Sequence, residues 1–142
     1  MTTANAPALA GGNSPAFPRK RMIAYWVATV FVAGNSAVAG ALDILRIQPF
    51  FGILLHLGYP AYFSTILGVW KVLGAVAILA PRYPRLKEWA YAGLFFDFTA
   101  ATASHAAIGE VAQLVGPISS IVFLAASYAL RPSSRRVETS RD

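Results

Sequence analysis

Residues 61–80 read AYFSTILGVWKVLGAVAILA and residues 89–108 read WAYAGLFFDFTAATASHAAI. Each run has the length of about 20 residues that a helix needs to cross the hydrocarbon of a bilayer. Each also carries a single charge near its middle, Lys71 in the first and Asp97 in the second. The turn that joins them is centred near residue 84, with Lys71 13 residues before it and Asp97 13 after it. At 1.5 Å per residue both charges sit roughly 20 Å from the turn, at matching depth. A charge at mid-bilayer costs about 3 kcal/mol on insertion scales, so two opposite charges at one depth on adjacent helices are expected to pair.

Two more apolar runs flank this hairpin, at about 22–42 and 112–130. The expected fold is therefore all-α, a polytopic membrane four-helix bundle. Composition agrees: 56% of the 142 residues are hydrophobic and 13% are charged, about half the charge of an ordinary globular chain. A soluble domain of this size could not hide so much apolar surface. Lys and Arg number three before the first run (Arg19, Lys20, Arg21), three in the middle loop (Arg82, Arg85, Lys87) and four after the last. The other two loops hold one (Arg46) and none. This alternation predicts a multi-pass protein of the inner (cytoplasmic) membrane with both termini cytoplasmic. It also explains the net charge of +6 by topology and contact with the lipid bilayer, with no nucleic acid involved. A competing reading makes the first run a signal peptide cleaved after Ala37-Val38-Ala39; the long stretch ahead of it and the apolar continuation beyond it argue against that.

The domain reading is a tail over 1–21, a membrane domain over 22–130 and a second tail over 131–142, both tails expected to be disordered. Within the first external loop, Phe50–Leu57 is apolar but too short to span, and after Pro49 it is expected to form a short interfacial helix. Trp26, Tyr59, Tyr62, Tyr83, Trp89 and Tyr91 fall near span ends, as in an aromatic belt.

The candidate site is an intramembrane polar centre of Lys71, Asp97, Ser104 and His105, with His56 and Tyr59 as external-side ligand contacts. Small residues share the face of each charge: Ser64, Gly68, Gly74 and Ala75 with Lys71, and Ala90, Gly93, Ala101 and Ser104 with Asp97. Small residues allow close helix approach in lipid, so these two stripes are expected to face each other. The ladder Ala33-Ala37-Ala41 could supply a third wall, with Asn35 or Ser36 nearby. The charge pair reads either as a clip that fixes helix register or as a protonatable or ligand-binding site. His105 beside Ser104 is read as a polar contact between helices. Two isolated histidines do not amount to a metal or haem site, and no metal is expected. The absence of cysteine excludes disulfides and thiolate metal or iron–sulfur ligation within this chain. No phosphate loop, dinucleotide fingerprint, nucleophile elbow or metalloprotease helix occurs, so nothing marks the chain as an enzyme on its own.

The stretches His56-Leu57-Gly58-Tyr59-Pro60-Ala61-Tyr62-Phe63 and Gly68-Val69-Trp70-Lys71-Val72-Leu73-Gly74-Ala75 resemble the DoxX-like family of small bacterial membrane proteins. Pro81 to Gly93, Phe95-Phe96-Asp97 and Ala103-Ser104-His105 continue the likeness, which covers roughly 22–130. The resemblance implies a four-helix membrane bundle. The family's namesake is a subunit of an archaeal thiosulfate:quinone oxidoreductase, which implies an accessory or ligand-binding subunit of a membrane redox system, with a quinone as candidate ligand and a membrane oxidoreductase as partner. That transfer is an analogy at the level of fold, and it carries no catalytic residue onto this chain. A small proton-coupled transporter using Asp97 and a purely structural membrane partner are the alternatives. Four short helices enclose little volume, which leaves a homodimer open.

Overall fold

The computed structural model of the protein describes residues 18–132 and residue 135. Most of the two expected tails, residues 1–17, 133–134 and 136–142, lies outside the described residues. The described chain is all-helical: α1 Arg19–Ile44, α2 Phe50–His56, α3 Ala61–Leu79, α4 Pro84–Ala107, a single 3-10 turn Val111–Leu114, and α5 Val115–Leu130. Prolines open four of the helices, Pro49 immediately preceding α2. Pro18 and Pro60 immediately precede α1 and α3, and Pro84 is the first residue of α4, where a missing N–H costs nothing.

Three helix ends turn the chain in the same way. α1, α2 and α4 are followed by Arg46, Gly58 and Gly109, with positive φ of 54°, 87° and 79°. The next N–H then reaches back to a helical carbonyl: Ile47 to Leu42 at 2.9 Å, Tyr59 to Leu54 at 3.1 Å, and Glu110 to His105 at 3.0 Å. This is the Schellman arrangement, and glycine takes its left-handed residue at no steric cost. Gly58 and Gly109 matter for the site because they fold Tyr59 and Glu110 back over the helices they follow.

The long helices pack as a ring. α1 lies against α3 and α5, and α4 closes the circle against the same two. Val32, Ile78, Tyr91, Leu94, Phe98 and Leu124 form the buried core of this ring. Large apolar side chains cover its outside, Trp89 being 79% exposed and Phe96 and Trp70 each 68%. An apolar exterior of this extent suits lipid and not water. Three helices, Arg19–Ile44, Ala61–Leu79 and Val111–Leu130, are long and apolar enough to cross a membrane. α4 is long enough at 24 residues, but Asp97, His105 and its hydroxyl residues lower its hydropathy. The short helix expected after Pro49 is present as α2, seated on α1 and α3.

Several expectations need correction. Arg19, Lys20 and Arg21, assigned to the N-terminal tail, form the first turn of α1. Arg131, assigned to the C-terminal tail, is buried, with Nη2 2.8 Å from Glu88 Oε1 and its guanidinium 4.0 Å from the Tyr128 ring centroid. Arg135 lies 4.8 Å from the Trp26 ring centroid, so the start of that segment packs on the bundle. Tyr91 is no belt residue either. Its hydroxyl pairs with Ser127 at 2.7 Å, Ser127 pairs with Thr29 at 2.7 Å, and Thr29 donates to the Tyr25 carbonyl at 2.7 Å. Since Thr29 uses its proton on that carbonyl, the donors run one way from Tyr91 to α1, and every member is satisfied.

The small-residue stripes face different neighbours. Gly68 meets Gly40 of α1, where a Cβ built on Gly68 would stand 2.5 Å from the Gly40 carbonyl oxygen. Gly93 of α4 has nothing within 4 Å of the corresponding position. The tight seam of the bundle is therefore between α1 and α3.

Lys87, read as a topology charge, is only 1% exposed. Its ammonium donates to the Ile78 carbonyl at 2.6 Å and to the Ala80 carbonyl, which closes the C-terminus of α3. It lies ahead of the apolar stretch that begins at Trp89. Burial, with Arg135 and Arg131 nearby, lowers its pKa from 10.5 to about 8. Between pH 8 and 10.5 the unfolded chain holds a proton that the folded chain has released, so stability rises with pH across that window. Thermal unfolding in detergent will show this rise for the wild type and lose it in Lys87→Met.

Candidate functional site

The polar centre is a triad. Lys71 Nζ stands 3.8 Å from Asp97 Oδ2, at ion-pair distance but too far for a hydrogen bond. Its nearer partner is Asp43 Oδ2, at 3.0 Å. Asp43 closes the buried face of α1 that runs through Val32, Ser36 and Gly40, and is itself only 2% exposed. Ser64 of α3 fixes this end of α1 by donating to the Asp43 carbonyl at 2.7 Å. One ammonium is thus shared by two carboxylates, which leaves the group one negative charge in excess unless a proton or a ligand balances it.

Beside the triad the ring encloses a cavity of about 450 Å³, within the range of small-molecule sites. Lys71, Asp43 and Asp97 line it together with Asn35, Ser36 and Ser120, and Phe31, Phe63 and Phe98 supply aromatic wall. Asn35 donates to Ser120 at 3.1 Å, and Ser120 donates to the Gly116 carbonyl at 3.0 Å. Ser36 is fully buried, and its hydroxyl has no hydrogen-bond partner among the described residues. A buried hydroxyl without a partner costs free energy that a hydrogen bond to a ligand acceptor would recover.

α2 and the two glycine turns close one end of this space. Tyr59, set by Gly58, pairs its hydroxyl with Ser104 at 2.8 Å. Glu110, set by Gly109, stands between the two histidines, with Oε2 2.8 Å from His105 Nδ1 and Oε1 3.2 Å from His56 Nε2. The histidines are therefore not isolated from a carboxylate, as the sequence suggested; Glu110 ties the α2 segment to α4. Ser104 likewise turns to Tyr59 and not to its neighbour His105. Tyr59, Ser104 and His105 all line the cavity, whereas His56 is largely exposed and reaches this group only through Glu110. Five of the six residues singled out from the sequence thus line one cavity, and His56 does not.

Asp43, Ser36 and Glu110 were missing from that set. Asp43 was legible as the next step of the buried period Ser36, Gly40, Asp43. Glu110 was legible from Gly109, since a glycine directly after a helix signals a chain that folds back.

An all-helical chain with an apolar exterior, three helices fit to cross a membrane and a charged, aromatic-walled cavity is a multi-pass membrane protein. The model of the DoxX-like family matches residues 27–129, and the chain belongs to that family. Comparison with curated proteins and with solved structures found no match.

Proposed function

We propose that the protein is a ligand-binding accessory subunit of a quinone-linked redox system in the bacterial inner membrane. In this reading α4 crosses the bilayer as well, giving four spans and cytoplasmic termini. At 24 residues α4 extends about 36 Å. Its polar residues Asp97, Ser104 and His105 line the cavity while Phe95 and Phe96 point outward, so its low hydropathy belongs to the face that lipid does not touch.

The observation that carries the ligand reading is the buried Ser36 hydroxyl, without a partner among the described residues, on a residue that lines the same aromatic-walled cavity as Lys71. A quinone head offers carbonyl acceptors to both donors and a flat ring to the phenylalanines. Purification in mild detergent, with mass spectrometry of co-purifying lipids and proteins, should recover a quinone and an oxidoreductase. Ser36→Ala should weaken quinone binding about fivefold, the worth of one neutral hydrogen bond. It should leave thermal stability unchanged or slightly raised, because the hydroxyl has no partner among the described residues. A chain that is ligand-free and binds no added quinone would overturn the proposal.

A second reading, proton-coupled transport, draws on the 3.8 Å gap between Lys71 and Asp97. With Lys71 held by Asp43, Asp97 is the group left to take up a proton. Substrate flux in proteoliposomes that Asp97→Asn abolishes would favour it.

A further inference from the structure

We infer that the central cavity opens sideways into the bilayer between α3 and α4, and that its ligand is a long-tailed amphiphile whose alkyl or isoprenoid tail leaves through that groove. This rests on the reading of the cavity as a ligand site and adds the class of ligand and its route. A second space of about 520 Å³ lies between α3 and α4. Trp70, Leu73, Leu86, Trp89, Gly93 and Phe96 are among its walls, and apart from Lys71 and Asp97 every lining residue is apolar or aromatic. Trp70, Trp89 and Phe96 are also among the most exposed side chains of the protein, so the groove faces lipid.

Three residues line both spaces: Leu67, Lys71 and Asp97. These three residues form the partition between cavity and groove. Its polar part is the looser contact of the triad, 3.8 Å between Lys71 and Asp97. Asp97 can swing aside without breaking a hydrogen bond, because the 3.0 Å bond of Lys71 to Asp43 stays intact. Gly93 leaves open space on the α4 side, where a larger residue would narrow the passage.

The floor of the groove also selects among occupants. Its charges lie near the middles of α3 and α4, roughly 20 Å from the turn between them. A phospholipid holds its head group at the interface, so its chains alone would reach these charges and leave them without polar contact. A helix from a second copy would press apolar side chains on them at the cost of desolvation. A ligand with its head in the cavity and its tail directed outward satisfies both the polar floor and the apolar walls.

The test compares two quinones with the same dimethoxy-methyl head, one bearing a ten-carbon tail and one none, on the full chain in detergent. Gly93→Trp is expected to weaken binding of the tailed quinone at least tenfold while leaving the tail-less one within twofold of wild type. An unchanged affinity for the tailed quinone, or an equal loss of both, overturns the inference while the cavity reading stands. If wild type binds neither quinone, the cavity reading itself fails and takes the inference with it. A shift from dimer to monomer in Gly93→Trp by light scattering would assign the groove to a second copy instead. Should that variant fail to fold, the unmutated groove decides. A tail brominated at its end must quench Trp70 and Trp89, resolved with Trp→Phe variants, beyond the unbrominated tail and beyond Trp26; equal quenching of all three overturns the inference.

Discussion

Asp43→Asn is expected to destabilise the protein by about 3 kcal/mol, the lower end of the cost of breaking a buried ion pair. Asp97→Asn is expected to cost about 1 kcal/mol, the worth of an ordinary polar contact. The order follows from geometry. Lys71 keeps its 3.0 Å partner when Asp97 is neutralised, but falls back on a carboxylate 3.8 Å away when Asp43 is neutralised. Asp43→Asn leaves a mid-membrane ammonium without a charged hydrogen-bond partner, and the neighbouring Asp97 recovers only part of the loss. Lys71→Met combined with Asp43→Asn and Asp97→Asn should regain most of the stability, because the ammonium and both carboxylates then leave together and an apolar side chain fills the space. Equilibrium unfolding in mixed micelles measures all three. An Asp97→Asn cost equal to that of Asp43→Asn would show that the α3–α4 pair holds the register after all. The expected result separates two roles that the sequence merges in one pair: Asp43 as the structural clip, and Asp97 as the carboxylate available to a ligand or a proton.

How far the sequence leads depends on which physical quantity is asked of it. Depth was legible: counting equal residues either side of the α3–α4 turn placed Lys71 and Asp97 within ion-pair distance, and helical rise alone is enough for that. Helix rotation was not. The small residues on the Lys71 face of α3 could have met either neighbour, and Gly68 meets α1 because Gly40 stands opposite it. Hydropathy also misplaced helix ends. The first apolar run ends at about residue 42 in the sequence, yet α1 continues through Ile44 and buries Asp43. The same bias treated Lys87 and Arg131 as surface charges, although the first is spent on the last carbonyls of α3 and the second on Glu88 and two tyrosine rings. A charge at a helix end can serve topology and packing at once, and composition reports only the first.

Gly68→Ala should be the most damaging single methyl in the protein, costing about 3 kcal/mol or preventing folding. Its Cβ would stand 2.5 Å from the Gly40 carbonyl oxygen and 2.9 Å from the Ile44 nitrogen. Both are backbone atoms of α1, so no rotamer change relieves the clash and the helices must separate. Gly74→Ala should be milder, because the atoms it meets, at 3.2 Å, belong to the flexible Leu94 side chain. Gly93→Ala, with open space around it, should be neutral or stabilise slightly through helix propensity. The three alanines, each adding one methyl to a helical glycine of α3 or α4, form an internally controlled series for thermal unfolding in detergent. Equal effects at Gly68 and Gly93 would refute a close α1–α3 seam. The consequence for the site is direct, since Gly40 lies three residues before Asp43 and Gly68 three residues before Lys71. The glycine contact sets the helix separation at which those two side chains meet at 3.0 Å. A variant that survives with α1 and α3 forced apart should therefore also lose the Asp43–Lys71 bond, releasing Lys71 toward Asp97 and weakening any ligand that depends on the cavity between them.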